Sequence, residues 1–351
     1  SWLAGLAPRV RALAAVGAWL SVCALAVGPA DDAAGRDAAD RDYCLTHGLW
    51  DRLLALGPGD AASPRALLDL HDFDLALYQR GRLADDLFRY RQMPSALLLP
   101  FSDRAPLAYR WRCGDQYLRL GRLNLAEHLL LDALPSAPGD PLLLRQLAYV
   151  YLVKGDLPTA RLYLTRLTYD IAQRDWARRY LALAERDPDL VSDTQIQSLR
   201  ANRLTREDVL EVYDRSDDGS KLSWPRLPDR MLVSLMRSNR HNRMAYEYLV
   251  SLYLLTAQPQ VAAQLMRYLP EFGLSRIPAG WEEGVAMALA MPGAKPGLGS
   301  LTVSAEARAR FAEFDKLLAQ HGGDPRAAYA DVARAFPASY YLYLVAARSG
   351  R

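Results

Sequence analysis

The residue types that usually carry chemistry are present in this sequence but scattered. Five histidines (His47, His71, His128, His241 and His321) stand far apart, and no two share the helical spacing a metal pair needs. No zinc or other metal site is expected, and His128, within Ala126-Glu127-His128, reads as a surface residue. Of three cysteines, Cys23 lies in an apolar run, which leaves Cys44 and Cys113 as the available pair for an extracytoplasmic disulfide. They fall in helical hairpins that are not adjacent, and helix layers about 8–10 Å apart would hold them beyond bonding distance, so both are expected to be free. The stretch Asp214-Arg215-Ser216-Asp217-Asp218-Gly219-Ser220 begins like a calcium loop, but Pro225 stands at its twelfth position, where a bidentate Glu is required; it reads as a polar turn. There is no phosphate-cradling Gly loop, Gly-x-Ser-x-Gly elbow, metalloprotease helix or Cys-x-x-Cys. Any two of the 40 acidic residues could converge as an acid/base pair, yet nothing singles out a pair. The sequence therefore assigns no catalytic residue and no cofactor.

Composition narrows the classes further. At 51% hydrophobic and 24% charged, the 351 residues are too apolar for a disordered chain. Their net charge of +3 comes from scattered basic residues, without the clustered footprint of a nucleic-acid binder. What the chain does show is internal repetition. Tyr117-Leu118-Arg119-Leu120-Gly121-Arg122-Leu123-Asn124-Leu125-Ala126 aligns with Tyr151-Leu152-Val153-Lys154-Gly155-Asp156-Leu157-Pro158-Thr159-Ala160, a spacing of 34 residues. The same register places Gly114 and Ala148 where two helices cross closely, and Leu130 and Leu164 at a large apolar position in the second helix.

This pattern resembles the tetratricopeptide repeat, with the clearest copies at 107–140, 141–174 and 243–276. Tyr253, Ala257 and Ala262 carry the third copy; Cys113 and Ala172 depart from the family pattern. The resemblance implies an all-α, right-handed solenoid of helical hairpins over residues 32–351. No sustained β-type alternation competes with that class. Degenerate hairpins are expected around the clear copies: Tyr43 to Leu56, then Pro64 to Gln79 and Leu83 to Tyr90, with Gly48 and Gly81 in turns, followed by Arg174 to Glu185, Asp193 to Asn202, Thr205 to Tyr213 and Leu227 to Ser238. Toward the end come Trp281 to Met291, Ser304 to His321, Pro325 to Phe336 and Tyr340 to Ala347. The apolar run Leu97-Leu98-Leu99-Pro100-Phe101 is expected to fold onto the array.

In a tetratricopeptide array the first helix of each hairpin lines the inner groove. Here that register selects Trp111, Arg112, Asp115 and Arg119, then Arg145, Tyr149 and Leu152, then Met244, Glu247 and Ser251. Arg with Tyr and Trp on one surface suits an extended peptide or an acidic terminus; a solvated groove with ion pairs along each helix is the plain alternative.

The first residues point to a membrane. Ala12 to Ala30 carries no ionisable side chain except the Cys23 thiol, and as a helix it would rise about 28 Å, close to the hydrocarbon thickness. Residues 1–31 are read as an anchor helix, with a cleaved signal peptide as the rival. Arg9 and Arg11 before the run place the rest of the chain outside the cytoplasm. Further segments, Leu204-Thr205-Arg206-Glu207-Asp208, Asn239 to Leu249, Ile277-Pro278-Ala279-Gly280-Trp281-Glu282-Glu283 and Phe336-Pro337-Ala338-Ser339-Tyr340-Tyr341, resemble an uncharacterised family of bacterial multi-pass membrane proteins. That resemblance implies that the apolar run is the last membrane helix of a larger protein. The expected function is a membrane-attached, periplasmic or extracytoplasmic scaffold that binds protein or peptide partners in its groove. The alternative is the non-catalytic repeat tail of a multi-pass, glycosyltransferase-like membrane transferase whose active site lies before residue 1.

Overall fold

The computed structural model describes residues 33–100, 105–204, 226–292 and 297–350. The apolar run Ala12 to Ala30 with its Cys23, the helix expected at Thr205 to Tyr213, the calcium-like stretch and Phe101 lie outside these residues. The described residues are all-α, without a strand, and none of their helices is long and apolar enough to cross a membrane. The chain divides into two compact units, Ser1–Leu49 and Trp50–Arg351.

The first unit contributes helix α1 (Ala33–His47), stiffened by Arg41 Nε donating to Asp37 Oδ2 at 2.8 Å one turn earlier. Gly48, at φ +66°, ends it, and Leu49 N reaches back to Cys44 O.

The second unit begins with α2 (Trp50–Ala55), α3 (Ala66–Gln79), α4 (Leu83–Asp86) and α5 (Pro94–Leu97). The apolar run Leu97–Leu99 is buried, as its composition suggested. The repeat follows. Helices α6 (Leu107–Leu120) and α8 (Pro141–Lys154) both have 14 residues; α7 (Leu123–Ala133) and α9 (Leu157–Leu167) both have 11. The turns match bond for bond. Gly121 N donates to Leu118 O and Arg122 N to Tyr117 O; 34 residues on, Gly155 N donates to Leu152 O and Asp156 N to Tyr151 O. Both glycines sit in the left-handed region, at φ +88° and +82°, where a side chain is strained. The third copy, α13 (Arg243–Leu255), closes the same way around Ala257 at φ +56°, with Ala257 N to Leu254 O and Gln258 N to Tyr253 O. Within the first hairpin the helices cross tightly, since a methyl group at Gly114 would lie 2.5 Å from Leu130 Cδ2.

The two turn glycines differ in one respect. A Cβ at Gly155 meets nothing nearer than the end of Arg200, whereas one at Gly121 would overlap the Asn202 backbone carbonyl. Gly155→Ala should therefore cost about 1 kcal/mol, from backbone strain alone. Gly121→Ala should cost roughly twice that or more, because rigid backbone must move. Urea unfolding of the two variants, which share a backbone conformation, separates strain from clash.

Beyond the repeat come α10 (Arg174–Arg186), α11 (Thr194–Ala201), α12 (Arg226–Ser238), α14 (Pro259–Leu265), α15 (Ala279–Ala290), α16 (Ala305–Gln320), α17 (Pro325–Ala335) and α18 (Tyr340–Ser349). Hairpin neighbours pack together, but the early helices also meet the late ones. Helices α5 and α6 pack against α13, and α4 against α15. Gly280 lets α15 approach so closely that a methyl group there would lie 2.6 Å from Ala84 O, while Ala279 N donates to Asp85 Oδ1 at 2.8 Å. The carbonyl ends of the repeat helices are likewise closed from far downstream. Asn202 Nδ2 donates to Arg119 O and Asn242 Nδ2 to Leu120 O, both at 2.9 Å; the Arg200 guanidinium donates to Leu152 O and Val153 O.

Candidate functional site

Helix α3 is the element that positions the most unusual chemistry. Nine consecutive residues, Asp69 to Leu77, are buried, so the helix has no solvent face, yet Asp69, His71, Asp72 and Asp74 lie on it. Helices hidden all round are normally apolar, and each ionisable group here needs an internal partner. Asp72 has one: Arg112 Nε donates to Oδ1 at 2.8 Å and Nη2 to Oδ2 at 2.6 Å, with both side chains fully buried. The same guanidinium donates to Ala108 O and lies 4.4 Å from the Trp111 ring centre. His71 Nδ1 stands 2.8 Å from Ala96 O, and burial holds the ring's pKa below its ordinary value. A neutral ring donating from Nδ1 satisfies that carbonyl.

Asp74 is different. Gln92 Nε2 donates to its Oδ1 at 3.1 Å, but Oδ2 has no partner among the described residues, and neither have Gln92 Oε1 and the Tyr248 hydroxyl. Burial raises the Asp74 pKa to about 8, so the carboxyl is neutral at neutral pH. Burial first, then the Asp74 charge, pushes the Tyr248 phenol well above its ordinary range. Tyr248 in turn packs edge-on against Tyr78 at 5.8 Å.

The side chains expected to line an open groove are largely buried. Trp111, Arg112, Asp115, Arg145, Tyr149, Met244 and Glu247 are buried and Arg119 is partly so; Leu152 and Ser251 are fully buried. Asp115 accepts from Arg119 at 2.6 Å, and Glu247 from Arg243 at 2.5 Å. Glu247 Oε2 has no partner among the described residues, and burial raises that carboxyl's pKa despite Arg243. Arg145 donates to Gln173 Oε1 at 2.7 Å and lies 4.5 Å from the Trp176 ring, which bonds Tyr149 through its indole N–H at 3.2 Å. Helical spacing sets Arg112, Asp115 and Arg119 on one face of α6. That face is covered by the chain itself, through α3 against α6 at the Asp72–Arg112 pair and α13 against α6. It is therefore an interior rather than an open channel.

Cys44 and Cys113 are both buried; Cys113 is a free cysteine, and burial pushes its thiol up to about 12, away from the reactive thiolate. His128 is half-exposed beside Asp132. Among the described residues no group of three or more His, Cys, Asp or Glu is placed to hold a metal ion. The acids of α3 were missed in the sequence. Their signal is the absence of a polar stripe: charges at 69, 71, 72 and 74 spread around the helix instead of sharing one side.

Open surface lies next to this layer. A cleft of about 510 Å³ separates residues 88–94 from α18, floored by Met93, Leu342, Tyr343 and Ala346 and rimmed by the exposed Arg89 and Arg91. Gln92 lines the cleft as well as holding Asp74, so one side chain joins the open surface to the buried acid. A model described as "Family of unknown function (DUF6057)" matches residues 3–347, and the chain belongs to that family. No curated protein and no solved structure matches it.

Proposed function

We propose that this family member is a membrane-attached, extracytoplasmic helical-repeat scaffold, tetratricopeptide-like in its hairpins, that binds a protein or peptide partner. The bond-for-bond identity of the turns at Gly121 and Gly155 supports the repeat reading, and the apolar run Ala12 to Ala30 supports attachment as one helix of a longer membrane region. The partner seat is the cleft beside α18 rather than the inner face of the repeats. One observation carries this choice: the cleft pairs an apolar floor with two arginines at its rim, whereas the inner-face side chains are consumed by internal ion pairs. Asp86 engages Arg89 at 3.1 Å, while Arg91 is an exposed cation without a partner among the described residues. Its volume fits a few side chains of an extended segment, and its charge favours a segment with an acidic residue.

The test is selection of a random heptapeptide library on the full chain. Enriched peptides should combine apolar and acidic residues, and Ala346→Trp, which fills the floor, should weaken them by about tenfold or more. Arg91→Glu should reverse the charge preference. Enriched peptides indifferent to both substitutions would move the seat elsewhere, and no enrichment would remove the peptide-binding reading.

A further inference from the structure

The turn between α9 and α10 presents two large apolar side chains to solvent. Tyr169 is 75% exposed and Ile171 88%, and Leu162, 70% exposed, lies two turns back on α9. Such exposure is ordinary on a floppy loop, but this turn is fastened. Asp170 Oδ1 accepts from Ala172 N and Gln173 N, both at 2.9 Å. Arg174 Nε donates to Thr168 O at 3.1 Å, and the buried Gln173 is held by Arg145. The turn is tied down by these bonds, a wedge with both side chains in solvent.

Its flanks are basic: of the five arginines between Leu157 and Arg179, Arg179 engages Asp193 at 3.5 Å and Arg174 serves Thr168 O, which leaves the exposed Arg161, Arg166 and Arg178 against Asp170 and Asp175. Asp170 is already occupied with backbone amides. Three exposed side chains are too few for a stable protein interface, which needs roughly 1,200 Å² or more. It suits a bilayer surface instead, where an aliphatic and an aromatic tip enter the headgroup boundary and flanking guanidinium groups reach lipid phosphates.

We propose that the Thr168–Gln173 turn docks on an anionic lipid bilayer, with Tyr169, Ile171 and Leu162 entering its interface and the flanking arginines binding phosphate. This rests on the membrane-attached part of the reading above and is independent of the cleft. The full chain carrying Cys23→Ser and Ile171→Cys, labelled with an environment-sensitive fluorophore, tests it; Lys316→Cys on the exposed face of α16 is the control position. With vesicles of phosphatidylcholine containing one quarter phosphatidylglycerol, the label at 171 should shift to the blue and be quenched by spin-labelled lipid, while that at 316 should not. The concentration of lipid needed should rise about tenfold or more with phosphatidylcholine alone, or after Arg166→Glu with Arg178→Glu. Equal insertion into neutral vesicles would overturn the anionic selectivity. A blue shift that grows with protein concentration without lipid would assign the wedge to a second copy of the chain. A chain that sediments with the vesicles while residue 171 stays in water would overturn the wedge and leave membrane attachment standing; a chain that does not sediment would overturn both.

Discussion

Asp74→Asn should stabilise the protein, and the gain should grow with pH. The folded state holds the Asp74 proton up to about pH 8, whereas an unfolded chain releases it near 3.8. Between those values the folded protein binds more protons than the unfolded one, so stability falls as pH rises and levels off above about 8. Asparagine has no proton to lose and escapes that fall. At one pKa unit per 1.36 kcal/mol, the gain at neutral pH should reach about 2–4 kcal/mol, shrinking toward zero near pH 4. The amide also suits its neighbours: its oxygen keeps the Gln92 bond, and its NH2 supplies a donor to a site where Gln92 Oε1 and the Tyr248 oxygen lack one. Urea midpoints of the two proteins across pH 4–9 check this, and a gain that does not vary with pH would refute the assignment of a neutral acid.

The second large effect runs the other way. Arg112→Met should destabilise by about 3–5 kcal/mol, because it leaves Asp72 as a buried anion with its bidentate partner gone. Adding Asp72→Leu removes the stranded charge as well, and the double variant should recover most of the loss. Chemical unfolding of the four proteins in a double-mutant cycle measures the coupling. Simple additivity of the two losses would show that the pair is not the unit the geometry makes it.

Much of the second unit was legible locally. Gly121 and Gly155 announced their turns, because a left-handed residue after an apolar helix leaves a mark in one position. Arg112, Asp115 and Arg119 were placed together because helical spacing is enough to do so. What covers them was not legible. The Asp72–Arg112 pair joins residues 40 apart, and no local period records which helix will lie across a face. The Asn242 cap reads locally as a helix start through Ala245 N, but its amide serves Leu120 O at the other end of the repeat. An open groove was the expectation of a chain whose hairpins touch only their neighbours; here α4 and α15 also meet.

That long-range capping bears on how the protein is made. The amide of Asn242 closes α6 across 122 residues of sequence. At about 5–20 residues per second, synthesis delivers it roughly 6–24 s after Leu120 has formed. Until then the first clear repeat has its length and its turn but not the donor for its last carbonyl. A solenoid can mature unit by unit as it leaves the ribosome. This chain must keep an early hairpin waiting for a late one, and a nascent fragment ending before Asn242 should be the species that proteases and chaperones meet.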